Sequence, residues 1–166
     1  MSSKCKIISL GQIEQIIMNC SAIRPMFKGI YSIQEIGNLV LPINCYVIVC
    51  TLKLTQINRI GHFFGLYCNR LQEIEIYDSL ATDINKFKEL KLFIEKNAKY
   101  HYLHISSRIQ ALDSYCCSLY CLFFIYQRCV FNLSFEEIVK LFNNKTHQEA
   151  DAIVYNFCKL YILHDI

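Results

Sequence analysis

The chain has 166 residues, of which 54% are hydrophobic and 19% charged, with a formal net charge of +3. That is too apolar for a disordered chain, and a chain of this length buries roughly 70% of its unfolded surface, so a single domain over residues 1–166 is expected. No apolar stretch reaches the ~18 residues of a membrane span, and a charge of +3 does not by itself argue for nucleic acid.

Residues 1–10 contain Lys4 and Lys6 but lead directly into Gly11, Gln12, Glu14 and Gln15. They therefore lack the apolar stretch of a secretory signal, and an intracellular protein is expected. Ten cysteines are too few for a disulfide scaffold in a chain this apolar, so most are expected as reduced thiols. Zinc fails on spacing: no Cys-x-x-Cys pair exists, and Cys117 with Cys121 lacks a second ligand pair. No metal, cofactor or membrane is expected.

In chain order, Ile13, Ile16, Ile17 and Cys20 form one helical stripe. Ser32 and Glu35 have the spacing of a capping box for a brief turn closed by Gly37. Three β-rich runs follow at residues 45–52 (CYVIVCTL), 62–68 (HFFGLYC) and 73–78 (EIEIYD), and the short link 69–72 predicts that the last two are antiparallel. From Asp83 the period becomes helical, with Ile84, Phe87, Leu90, Phe93 and Ile94 on one side. Lys86, Lys88, Lys91, Lys96 and Lys99, interleaved with Glu89 and Glu95, read as a solvated face. Residues 101–106 read as a fourth strand. The rest is helical: 116–130, then helices capped by Ser134 with Glu137 and by Thr146 with Glu149. This order predicts an α+β fold, and the absence of a glycine-rich phosphate loop removes nucleotide-binding folds.

Four residues with usable chemistry fall at element ends. His62 opens a strand, Asp78 closes the next, and Gln110 precedes Cys116 and Cys117 at the start of an apolar helix. A cysteine nucleophile needs a thiolate, and a helix N-terminus or a nearby imidazolium can lower a thiol pKa from ~8.5 to as little as ~3.5. Asp113 and Ser114 are candidate N-caps that would place Cys117 in the first turn. A carboxylate on an adjacent strand can hold the imidazole in one tautomer, which suits Asp78, and a glutamine amide can serve a developing oxyanion. Each residue also has an ordinary reading: a cysteine in an apolar helix is usually a small hydrophobe, a histidine opening a strand is polar surface, and Asp78-Ser79 is a strand-ending turn.

The order His62, Asp78, Gln110, Cys117 resembles the adenovirus-type (adenain-like) cysteine proteases, whose fold is shared with the SUMO-specific proteases. Gly61-His62-Phe63 is similar to the family's Gly-His-aromatic motif, and Ile76-Tyr77-Asp78-Ser79 to its strand ending in the acid. Ile109-Gln110 is similar to its oxyanion glutamine segment, and Cys117-Ser118-Leu119-Tyr120-Cys121 to its nucleophile motif. Residues 26–31 and 44–51 resemble the segments leading to the histidine. The resemblance covers residues 26–126 and departs in two places: Phe63 stands where the family usually has tryptophan, and Ser118 stands where it has glycine. Cys117 is preferred as the nucleophile because Tyr120 and Cys121 follow it at the motif's spacing, with Cys116 as runner-up.

The resemblance implies a papain-like cysteine protease core of adenain type, with a central, mainly antiparallel sheet flanked by helices. It implies a viral endopeptidase that cleaves virion precursor proteins in the host nucleus, the cytoplasm or the virion. Cys117 would be the nucleophile, His62 the general base, Asp78 its orienting acid and Gln110 the oxyanion donor. DNA assistance stays open through the lysine-rich helix. A peptide activator tethered through a cysteine between acid and nucleophile is not expected on the family's plan, because no cysteine lies between Cys68 and Cys116. Two alternatives stand: a deubiquitinase or ubiquitin-like-modifier protease, and a catalytically silent binding module. Ser118 favours the silent module, and the complete His, Asp, Gln and Cys set favours an enzyme.

Overall fold

A computed structural model describes residues 8–52 and 61–163. The stretch read for a targeting signal lies outside them except for its last three residues. The elements, in order, are α1 (Leu10–Asn19), β1 (Phe27–Ser32), β2 (Cys45–Cys50), β3 (Phe63–Cys68), β4 (Ile74–Tyr77), α2 (Lys88–Asn97), β5 (Tyr102–His104), α3 (Cys117–Cys129), α4 (Phe135–Lys140) and α5 (His147–Tyr161). The fold is α+β. Among the described residues no helix is long and apolar enough to cross a membrane.

The five strands lie in chain order, β1-β2-β3-β4-β5. β2–β3 and β3–β4 are antiparallel, as the short link between β3 and β4 predicts, whereas β1–β2 and β4–β5 are parallel. The sheet is thus evenly mixed rather than mainly antiparallel. The reason is connectivity: the chain runs through a helix or a long crossover before each parallel pairing, and only the inner three strands are joined as neighbours of opposite sense. β1 was not expected as a strand. Its run FKGIYS holds Lys28 and Gly29, and Gly29 has φ of 123°, where the register with β2 slips between Phe27 and Ile30. A bulge of this kind needs a residue without a Cβ and erases the period-two pattern.

Strand alternation sends side chains to two separate cores. On one face Tyr46, Ile48, Cys50, Phe63, Tyr67 and Tyr77 pack with α1, α3, α4 and α5. On the other Val47, Val49, Phe64, Leu66, Ile74 and Ile76 pack with Leu90, Phe93 and Ile94 of α2. The result is three layers, with the sheet buried on both sides. α1 presents Ile13, Ile16 and Ile17 to the first core, as its stripe predicts. The predicted helix from Asp83 is divided: Asp83 caps a 3₁₀ turn, Ile84–Lys86, and α2 begins two residues later, its lysines exposed as expected. The Ser32–Glu35 box is half formed. Glu35 accepts from Ser32 N–H, but Ser32 Oγ accepts from Gln34, and the 3₁₀ turn runs on past Gly37 to Asn38. The boxes at Ser134 and Thr146 are complete.

Candidate active site

His62 sits immediately before β3 and Asp78 immediately after β4, at the same end of two neighbouring strands. The backbone of His62 is pinned to the end of β2, since Thr51 N–H donates to the His62 carbonyl at 3.0 Å and His62 N–H donates to Thr51 Oγ1 at 3.1 Å. Gly61 must stay small here. A Cβ at that position would lie 2.8 Å from Cys50 Sγ and 3.0 Å from Leu52 Cγ.

His62 Nε2 lies 2.6 Å from Asp78 Oδ1. Asp78 is 3% exposed, and its carboxylate is further held by the backbone N–H groups of Leu80 and Thr82, each at 2.9 Å. Burial alone would raise the Asp78 pKa, but the His62 hydrogen bond and charge, with those two N–H groups, outweigh it and lower it below the usual carboxylate value. Burial alone would likewise depress His62. The Asp78 hydrogen bond and charge and the adjacent Cys117 outweigh that and raise the imidazole to about 9. The ring is therefore an imidazolium at neutral pH, with one proton on the nitrogen facing Asp78.

Cys117 is the first residue of α3. Cys117 is 9% exposed, and its thiol donates weakly to the Gly61 carbonyl at 3.9 Å, so the sulfur reaches the residue next to His62. His62 Nδ1 is buried without a hydrogen bond among the described residues, which leaves it open to exchange a proton with that sulfur. Asp113 and Ser114 are not the N-caps expected of them. The N-cap is Cys116, whose side chain makes no capping hydrogen bond, because the chain stays irregular through Ser114 and enters the helix only at Cys117, three residues later. As first helical residue, Cys117 keeps a backbone N–H with no intrahelical acceptor. Cys116, the runner-up, is fully buried and its sulfur is engaged in a disulfide, so it presents no thiol here, while among the described residues eight cysteines, Cys117 among them, are free. Ser118 has a helical backbone and is 2% exposed, so its side chain is taken up within the protein.

Gln110 is 2% exposed and held on every side. Its Oε1 accepts from Ser79 Oγ at 2.7 Å, its Nε2 donates to the Ser114 carbonyl at 2.8 Å, and its N–H donates to the Ser79 carbonyl at 3.1 Å. The second N–H of the amide is uncommitted among the described residues. Ser79 links Gln110 to the residue beside Asp78, so the glutamine and the acid share one anchor. Sequence reasoning missed the supporting roles of Ser79, Ser114 and Thr51, whose partners lie 31, 4 and 11 residues away and are marked by no local pattern. Among the described residues no group of three metal-ligating side chains occurs. Neither a family model nor a curated protein matches the chain.

Proposed function

We propose that the chain is a cysteine endopeptidase in which Cys117 is the nucleophile, His62 the proton carrier, Asp78 its orienting acid and Gln110 an oxyanion donor. One juxtaposition carries the reading: a 2.6 Å His62–Asp78 pair at the ends of two paired strands, with the thiol of a helix-opening cysteine against the residue beside that histidine. Because Nε2 is committed to Asp78, the working nitrogen is Nδ1. In the working form Cys117 has already given its proton to Nδ1, so the thiolate sulfur bonds to the scissile carbonyl carbon while His62 stays an imidazolium. The resulting oxyanion is met by the Cys117 N–H and the free N–H of Gln110. The C–N bond then breaks and the Nδ1 proton goes to the leaving amine. Water attacks the thioester, giving its proton to Nδ1 and the acyl group its hydroxyl, and the sulfur leaves as a thiolate paired with the restored imidazolium. The substrate class, virion precursor proteins of a DNA virus or related element, follows from the resemblance of the four motifs.

A peptidyl vinyl sulfone followed by iodoacetamide, with the modified residue located by mass spectrometry, tests this. The expected result is covalent labelling at Cys117 that is lost in Cys117→Ala and strongly slowed in His62→Ala, together with thiol-dependent peptide hydrolysis. Faster reaction with a probe ending in a ubiquitin-like Gly-Gly tail would move the substrate to modified proteins. Absence of labelling and of hydrolysis in both the wild type and Ser118→Gly would leave the binding module as the better reading.

A further inference from the structure

His147 opens α5, its backbone fixed by the Thr146–Glu149 capping box. Its ring spans two contacts: Nδ1 lies 2.9 Å from the Ile109 carbonyl, and Nε2 lies 3.1 Å from Arg108 Nη2. A carbonyl can only accept and a guanidinium can only donate, so the two partners select one tautomer, with the proton on Nδ1 and the lone pair on Nε2. The peptide group joining Ile109 to Gln110 is consequently gripped at both edges. Its C=O is held by His147 and its N–H by the Ser79 carbonyl at 3.1 Å.

That peptide is the base from which the Gln110 side chain projects. Ser79 Oγ and the Ser114 carbonyl fix the two ends of the amide, and the Ser79 carbonyl holds only the N–H edge of the peptide beneath it, so its C=O edge is left to His147. We infer that His147, oriented by Arg108, is a positioning residue that sets the plane of the Ile109–Gln110 peptide and so aims the free amide N–H of Gln110. The inference rests on the peptidase reading for its catalytic meaning. His147 makes no hydrogen bond to His62, Asp78 or Cys117, so it acts through Gln110 alone. If it served only to anchor α5, one bond to any loop carbonyl would suffice. Instead both partners lie within two residues of Gln110, and the second one fixes the proton needed by the first.

Three variants separate these roles. An asparagine amide places its N–H close to where imidazole Nδ1 stands, a glutamine reaches the position of Nε2, and alanine has neither. With a peptide that the wild type hydrolyses, His147→Ala and His147→Gln should lower kcat about tenfold or more while KM stays within about twofold, since small misplacements of a catalytic group are costly. His147→Asn should restore most of the loss. Independently of turnover, the Gln110 side-chain amide resonances should move in the Ala and Gln variants and return in Asn, and nitrogen-15 spectra of the wild type should place the His147 proton on Nδ1. Equal kcat in all three variants, unmoved Gln110 resonances in His147→Ala, or a proton on Nε2 would each overturn the inference. A wild type that hydrolyses nothing would sink the peptidase reading instead, and the Gln110 resonances would still decide this one.

Discussion

A single proton links the charge state of His62 to stability and, on the peptidase proposal, to turnover. Its pKa is raised to about 9, so the stabilisation it brings is complete below the ordinary histidine value of 6.5 and is lost as pH climbs through 9. Asp78, whose pKa is lowered, contributes above its ordinary 3.8 and loses that contribution as pH falls. The pair is therefore most stabilising between about pH 4 and 6.5. Asp78→Asn should shift the His62 titration down by more than a unit, as followed by proton NMR, and move the alkaline limb of hydrolysis the same way; an unmoved midpoint would show that Asp78 does not hold the imidazole proton. That His62 and Asp78 stand at strand ends and Cys117 at a helix start was legible from changes of hydrophobic period, whereas the roles proposed for them rest on the resemblance. Cys116 as the cap was not, because Asp113 and Ser114 have the better capping chemistry and nothing local shows that the helix starts beyond them. The supports of Gln110 were hidden for another reason: a hydrogen bond across 31 residues leaves no local trace.

At the scale of elements, β4 shows what alternation can and cannot reveal. Ile74 and Ile76 alternate with Glu75 and Tyr77, a pattern suggesting one wet face, yet all four residues are buried because α3 covers the second face. Glu75, 2% exposed, is satisfied by Arg128 Nε at 2.9 Å and Nη2 at 3.2 Å, Tyr77 Oη at 2.6 Å and Asn69 Nδ2 at 3.1 Å. Arg128 also stacks over Tyr67 of β3, 4.8 Å from the ring centroid, so one side chain of α3 fastens two strands. Removing it leaves a buried charge without its cation. Arg128→Met should cost about 3–5 kcal/mol in urea unfolding, and Arg128→Lys should recover little of this, since an ammonium cannot form the two-pronged contact. A loss below about 1 kcal/mol, the range of an exposed pair, would mean that Glu75 finds water instead. Helices capped by Ser134 and Thr146 were readable to the residue, because a capping box is local chemistry. The pairing of Glu75 with Arg128 depends on how α3 crosses the sheet, which no local pattern encodes.

Across the whole molecule, α5 joins pieces of the site that are far apart in the chain. His147 at its start grips the Gln110 segment, and Asp151 one turn later accepts from the hydroxyl of Tyr120, 1% exposed, at 2.9 Å. Tyr120 lies one turn beyond Cys117 on α3, so the helix carrying Cys117 and the loop carrying Gln110 rest on one brace. Tyr120→Phe should lower stability by about 1 kcal/mol, read by urea unfolding. Combined with His147→Ala it should show a coupling beyond 0.5 kcal/mol, the usual limit for independent sites; strict additivity would show that α5 does not connect them. The same layout orders events as the chain is made. Strands that pair in chain order can add one after another as they leave the ribosome, with none waiting for a partner from the far end. The segment bearing Gln110, the helix bearing Cys117 and the brace behind both come only after the last strand, so a newborn chain can pair His62 with Asp78 before Cys117 has a helix to stand on.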